Sequence, residues 1–336
     1  MKLRWGIISA GKISQDFCAA LQLLSKEDHE IIAIAARNLD DAKSLGLQYS
    51  VKYCYSDYKE VAQNPEVDAV YIGSINTTHY ELARMMLEHG KPVLCEKPLC
   101  LNLKQTEALC EFAKKNKVFL MEALWVRLFP AMLHLRKELD NKTVGEVSQV
   151  IVSFGVQIQH VERVKKKQLG GGATLDIGIY CAQLASFAYG SETPLKIVTT
   201  GHLNEFGVDE SSTSVLTYSG NRTATLIMST KVDLPNEGLI IGDKGTIKVP
   251  FRFWCPTAIV TPDKRYDFPL PPSDHKYNFH NSNGLCYEAE HVRQCLNEGL
   301  IESPVVPHSE TLLLAKILES IRSQVGVHYP EDDKEY

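Results

Sequence analysis

The stretch Leu3-Arg4-Trp5-Gly6-Ile7-Ile8-Ser9-Ala10-Gly11-Lys12-Ile13-Ser14 decides the fold. A short apolar run reaches a cluster of small residues, and an amphipathic stretch of helix length follows. This is the pattern of a strand turning directly into a helix. A dinucleotide requires small residues at such a turn, because the turn must be tight and the backbone must approach the pyrophosphate. The helix N-terminus then meets the negative charge with free N–H groups. Ser9 and Ser14 stand where that fingerprint has its first and third glycines, and only Gly11 keeps its glycine. The motif by itself therefore also fits a plain strand-turn-helix.

Outward from this turn, strand-length apolar runs at 3–9, 30–37, 53–56, 68–74, 92–96 and 118–123 alternate with helical stretches. The helices are expected at 11–24, 38–47, 77–88 and 103–115, with Gly90 as a stop. Alternation of this kind predicts β-α units on a parallel sheet. After about Trp125 the rhythm changes to one helix, ending near Leu139, and then strands in succession. These are expected at 147–155, 195–203, 212–218, 223–230, 237–242 and 245–249, with turn signals at Ser219-Gly220-Asn221 and Asp243-Lys244-Gly245. Further helices are expected at 173–188, 285–297 and 309–325, a proline-rich meander at 256–272 and an unstructured polar tail at 331–336. The organisation is thus an α/β domain over 1–124, followed over 125–336 by an α+β domain with a large, mostly antiparallel open sheet.

Composition bounds the partners. The chain has 336 residues, of which 44% are hydrophobic and 23% charged, as in an average soluble globular protein. Thirty-six basic against 41 acidic side chains leave a net charge of −5, with no basic footprint for nucleic acid or anionic membrane. A small-molecule partner is expected. Nine scattered cysteines without a Cys-x-x-Cys pair read as reduced, intracellular usage. No stretch resembles a secretory leader, and no apolar run approaches the roughly 20 residues that span a bilayer, so a cytoplasmic protein is expected. Neither a His-Glu-x-x-His spacing nor a Gly-x-Ser-x-Gly elbow is present, which points away from metal and acyl-enzyme chemistry.

Three further segments carry chemistry. Arg37 ends the second strand, about 20 residues beyond the turn, where an NAD enzyme places an acidic residue on the ribose. A guanidinium there suits the 2′-phosphate of NADP, while Asp40 and Asp41 keep the NAD alternative open. Cys95-Glu96-Lys97-Pro98 delivers a charged pair at a strand's carboxyl end, and an ammonium there stabilises developing negative charge on a substrate oxygen. Finally, Gly170-Gly171-Gly172-Ala173-Thr174-Leu175-Asp176-Ile177-Gly178-Ile179-Tyr180 lets the backbone take an unusual path before a helix. Its Asp176 and Tyr180, four apart, are expected on one helix face. A tyrosine is a poor base at neutral pH, but a lysine nearby favours its phenolate, and Lys97 is the candidate. His79, in Ser74-Ile75-Asn76-Thr77-Thr78-His79, sits at the strand-to-helix junction, where it either contacts substrate or fills the first helical turn.

Together these segments resemble the Gfo/Idh/MocA family of nicotinamide-dependent oxidoreductases over nearly the whole chain. The similar stretches include Trp5 to Gly11, Ala35-Ala36-Arg37, Cys95 to Pro98, Met121 to Trp125, Leu175 to Cys181 and Trp254-Cys255-Pro256-Thr257. The resemblance implies a Rossmann domain and NADP-linked oxidation of trans-dihydrodiols of aromatic hydrocarbons to catechols, and of D-xylose to its lactone. It also implies a homodimer through the open face of the second-domain sheet. By the same resemblance Lys97, Asp176 and Tyr180 are catalytic, and His79 and Trp125 contact substrate. Ser9, Gly11, Lys12, Ile13, Arg37, Ser74, Asn76, His79, Glu96 and Lys97 hold the cofactor. The alternatives are another sugar or inositol dehydrogenase of this family and a non-catalytic NADP sensor, which has no need for Lys97, Asp176 and Tyr180 together.

Overall fold

The computed structural model describes residues 2–336, which form two compact units. The first is built on six strands, β1 (Leu3–Ile8), β2 (His29–Ala35), β3 (Tyr53–Tyr55), β4 (Ala69–Ile72), β5 (Val93–Glu96) and β6 (Leu120–Ala123). Their order is β3-β2-β1-β4-β5-β6, with every neighbouring pair parallel. β4, β5 and β6 are buried along their whole length, as strands covered by helices on both faces must be. The order reverses between β1 and β4, and open α/β sheets bind ligands beyond the carboxyl ends of the strands at such a reversal. The expected Rossmann sheet is therefore present.

The intervening helices are α1 (Lys12–Leu21), α2 (Leu39–Gln48), α3 (Tyr58–Gln63), α4 (His79–Glu88) and α5 (Leu103–Asn116). Asn38 starts α2 by accepting the Asp40 N–H at 3.0 Å, and Gly90, at φ +71°, closes α4. The six-residue α3 is an addition to the sequence reading. The Asp57 carboxylate caps it by accepting the Lys59 N–H at 2.9 Å.

The second unit is built on an eight-stranded sheet of β7 (Val147–Gly155), β8 (Lys196–Leu203), β9 (Asp209–Tyr218), β10 (Arg222–Ser229), β11 (Gly238–Gly242), β12 (Gly245–Val249), β13 (Ala258–Val260) and β14 (Arg265–Asp267). The order is β14-β13-β12-β11-β7-β10-β9-β8, antiparallel except between β7 and β10. β13 and β14 lie in the segment expected as an irregular meander. α6 (Pro130–Asp140) and the single-turn α7 (Glu162–Lys165) precede α8 (Ile179–Ala188), which is apolar and buried almost all round, as a helix at the centre of a unit should be. Strand alternation places Val150, Val152, Leu216, Ala224 and Leu226 in the core, and α8 packs on β7 and β10. On the opposite face Val198, Val215, Thr225 and Ile151 stand in register across β8, β9, β10 and β7, with Val198 52% and Val215 40% exposed.

One boundary at 124/125 does not describe how the chain is shared out. The first unit gathers residues up to Leu99, Gln105–Leu128 and Leu270–His308, and the second takes Cys100–Lys104, Phe129–Pro269 and Ser309–Tyr336. The cause is specific packing. α9 (Leu285–Asn297) lies on α1, and the buried Asp16 carboxylate of α1 accepts the Asn278 and Phe279 N–H groups at 2.8 and 2.9 Å. The tail also differs from its expectation. Beyond α10 (His308–Val325) a 3-10 turn over Pro330–Asp333 is fixed by the Arg322 guanidinium on the Asp332 carboxylate, both bonds 2.7 Å.

Candidate active site

The turn after β1 has the backbone of a dinucleotide loop. Ser9 adopts φ +83°, a conformation that favours glycine, at the first glycine position of the fingerprint. Its hydroxyl accepts the Gly11 N–H at 3.1 Å. Gly11 is the N-cap of α1, and no side chain caps this helix and no acidic residue occupies its first turn. A Cβ on Gly11 would stand 3.3 Å from Ser9 Oγ and 3.7 Å from the Gly73 carbonyl, so a side chain here would fill the space ahead of α1. Ser14 replaces the third glycine, and its buried hydroxyl bonds the Gly73 carbonyl at 3.5 Å. A bare helix N-terminus behind a tight turn fits a pyrophosphate. Lys12 and Arg37 are exposed, and Ile13 is half-buried.

At the ends of β4 and β5 the chain is heavily braced. Ser74, Asn76 and Lys97 are partly exposed, whereas Glu96 is buried and accepts the Tyr71 hydroxyl at 2.7 Å. The Lys97 N–H bonds Glu96 Oε2 at 3.2 Å, a cis peptide joins Lys97 to Pro98, and the Leu99 N–H bonds the buried Glu122 carboxylate at 2.9 Å. His79 differs from its expectation as a substrate or cofactor contact. It is fully buried, with Nδ1 2.9 Å from the Pro98 carbonyl and Nε2 3.2 Å from the Ser74 carbonyl. Burial lowers its pKa and so favours the neutral ring, which donates to one of these two carbonyls and packs against the other, filling the space between the β4 end and the Lys97 loop and presenting no surface to a ligand. Trp125 is buried too, at 6% exposed, in a 3-10 turn over Trp125–Leu128.

In the second unit, Gly170 at φ +71° and Gly172 at φ +122° carry the chain into a π-helical segment, Thr174–Gly178, that runs on into α8. The i→i+5 bonds of a π turn widen it, so Asp176 and Tyr180 are not related by the regular α-helical spacing expected from sequence, and such turns concentrate at functional sites. Both side chains are buried, at 8% and 7% exposed. The Arg163 guanidinium donates to Asp176 Oδ1 at 2.5 Å. Tyr180 sits by Phe154, with ring centroids 5.8 Å apart, and Phe154 stacks on Trp254 at 4.0 Å. Lys97 belongs to the first unit, Asp176 and Tyr180 to the second.

Several supporting residues escape sequence reasoning. Arg163 lies in a charged run that reads as solvated surface. Tyr71 and Glu122 lie inside strands, where nothing distinguishes them from other core positions. Glu288 shares the apolar face of α9 with Leu285, Ala289 and Val292, and a carboxylate on such a face is the one available signal. Among the described residues no group of His, Cys, Asp or Glu is arranged to hold a metal ion, and no helix is long and apolar enough to cross a membrane. All nine cysteines are free thiols.

The description "Oxidoreductase family, NAD-binding Rossmann fold" of GFO_IDH_MocA matches residues 3–124, and that of the GFO/IDH/MocA C-terminal domain matches residues 132–248. The trans-1,2-dihydrobenzene-1,2-diol dehydrogenase of Danio rerio is 44% identical over 334 residues, covering 99% of this chain and 100% of its own. That of Xenopus tropicalis is 43% identical over 330 residues, covering 98% and 100%. Among solved structures, the aldose-aldose oxidoreductase of Caulobacter crescentus superposes with a TM-score of 0.82 at 22% identity, covering 97% of this chain and 98% of its own.

Proposed function

The chain belongs to the Gfo/Idh/MocA family of NAD(P)-dependent oxidoreductases, and from that premise we propose that it oxidises trans-dihydrodiols of aromatic hydrocarbons to catechols, and D-xylose to its lactone, with NADP. The full-length match to two dihydrodiol dehydrogenases carries this reading. The half-buried Trp254, stacked on Phe154 beside Tyr180, supports it, because a flat ring suits the apolar face of a cyclohexadiene diol.

In this mechanism Tyr180, as phenolate, takes the hydroxyl proton while the carbinol carbon becomes a carbonyl. Lys97 favours the phenolate by its positive charge, and Asp176, fixed by Arg163, orients the substrate hydroxyls. When bound, the nicotinamide nucleotide supplies the hydride acceptor. Ser9, Gly11, Lys12 and Ile13 would hold its pyrophosphate at the α1 N-terminus, Arg37 its 2′-phosphate, and Ser74, Asn76, Glu96 and Lys97 the nicotinamide half. The first unit serves the cofactor and the second the substrate. The exposed apolar row of Val198, Val215 and Ile151 favours a homodimer through that sheet face. A cytoplasmic enzyme is consistent with nine free thiols.

An initial-rate panel tests the assignment, with NADP or NAD against benzene trans-dihydrodiol, D-xylose, D-glucose and myo-inositol. The highest kcat/KM is expected for the dihydrodiol with NADP. Turnover confined to glucose or inositol would move the enzyme to another branch of the family, and nucleotide binding without any turnover would make it a sensor.

A further inference from the structure

We propose that Tyr329 is a positioning residue that holds the glycine turn ahead of Asp176 and Tyr180, and that the segment Val327 to Asp333 acts as a strap across it. The proposal rests on the catalytic roles given above to Asp176 and Tyr180.

Three consecutive glycines have more conformational freedom than any other tripeptide, so the path that delivers Asp176 must be imposed by its surroundings. On one side the turn is tied back to its own neighbourhood. The Gly171 N–H bonds the Lys166 carbonyl at 3.1 Å, and the Gly172 N–H bonds the Val164 carbonyl at 2.8 Å. Behind it, the buried Asp209 accepts the Thr174 N–H and hydroxyl through Oδ2 at 2.7 and 2.6 Å. The remaining tie comes from 158 residues away in the chain, where the fully buried Tyr329 donates its hydroxyl hydrogen to the Gly171 carbonyl. A Cβ on Gly172 would meet Asp209 Oδ1 at 2.4 Å and the Tyr329 oxygen at 3.4 Å, so the turn is pressed between these two side chains. Its conformation is set five residues before Asp176, at the mouth of the π segment.

Tyr329 is itself locked. The Arg322 guanidinium, 2% exposed, stands 5.0 Å from the Tyr329 ring centroid and grips Asp332 with two bonds of 2.7 Å. Asp332 Oδ2 also accepts the Tyr329 N–H at 2.9 Å, and Asp332 Oδ1 accepts the Asn102 side-chain N–H at 3.0 Å. Asn102 follows Lys97 by five residues along the chain. One short strap therefore bears on the turn leading to Asp176 and is itself anchored at Asn102. A buried tyrosine that merely filled space would have no need to place its hydroxyl on that particular carbonyl.

The test uses the full-length Tyr329→Phe variant, which deletes the hydroxyl alone. Hydrogen exchange of the amides at 170–176 is expected to quicken. The kcat for the dihydrodiol should fall about 10- to 100-fold, the range that small misplacements of catalytic groups produce, while KM for NADP and the stoichiometry of NADPH bound per chain stay unchanged. Should Tyr329→Phe not fold, Asp332→Asn loosens the same strap and is read in the same way. Unchanged exchange overturns the proposal whatever the activity. So does quickened exchange with unchanged kcat, or a loss of kcat matched by a loss of NADPH-binding chains, which is the mark of a purely structural residue. Quickened exchange in a protein whose parent oxidises none of the diols or sugars upholds the strap while the proposed function fails.

Discussion

The Tyr71 hydroxyl donates to Glu96 Oε1 at 2.7 Å, with both residues shut away from solvent at 0% and 8% exposed. Glu288 is fully buried, and neither of its carboxyl oxygens has a hydrogen-bond partner. Burial and the charge of Glu96 push its pKa well above the usual carboxylate range. A folded-state pKa that is raised contributes stability below the unfolded value near 4.5, and that contribution is lost as pH rises through the folded value. Glu288→Gln should therefore flatten the fall in stability above pH 4.5. Urea denaturation at a series of pH values measures this, and an unchanged slope would show that Glu288 does not titrate in the folded protein.

Tyr180→Phe should lose at least about 100-fold in turnover, the lower end of what general acid–base catalysis supplies, with NADPH binding intact. Stopped-flow and steady-state rates on one preparation check this. A variant that kept its turnover would remove Tyr180 from the proton path.

Arg37 is exposed two residues beyond β2, just before the Asn38 cap of α2, so it can reach a ribose phosphate without rearranging the core. Arg37→Ala should weaken NADPH binding far more than NADH binding in a fluorescence titration. Equal losses for both nucleotides would mean that this guanidinium does not read the phosphate.

Acid should destabilise the first unit through another route. The Trp5 indole donates to His29 Nδ1 at 3.2 Å, leaving Nε2–H to donate to Glu290 Oε2 at 3.0 Å. Burial lowers the His29 pKa, and Arg293 holds Glu290 down at about 2. Both shifts are downward, so both contributions are present above the unfolded values and lost as pH falls. That loss begins below about 6.5 for His29 and runs from 4.5 towards 2 for Glu290. Thermal melts between pH 7 and 3 should show a falling Tm that Glu290→Gln makes shallower.

The exposed row on the eight-stranded sheet gives a prediction about assembly. Sedimentation of the parent should give a dimer, and Val215→Glu, placing a charge in the middle of the row, should give a monomer that still binds NADPH. A parent that sediments as a monomer would remove the interface.

The regular elements were readable because each announces itself over several residues. β4 is an unbroken apolar run, β5 is apolar up to its terminal Glu96, and α4 is followed by a glycine, Gly90, at positive φ. Ser9 shows how far a local motif can be trusted, since the backbone keeps the glycine conformation after the glycine has gone. What stayed hidden depends on contacts between distant residues. Nothing near Asp16 in sequence announces Asn278 as its partner, and His79 became a brace because two carbonyls closed around it. The π segment is equally silent, because what sets its backbone path includes Asp209 and Tyr329, far away in sequence.

The interleaving of the two units imposes a timetable on synthesis. All six parallel strands have left the ribosome once Leu128 has emerged, but the unit they belong to is finished only at His308, about 180 residues later. At translation rates of roughly 5 to 20 residues per second this is an interval of about 9 to 36 seconds. For about the first 150 of those residues Asp16 waits without Asn278, and the side of α1 destined for α9 stays bare until Leu285–Asn297 has followed. The parallel sheet is thus complete in sequence long before the helix that covers one side of α1 exists to pack on it.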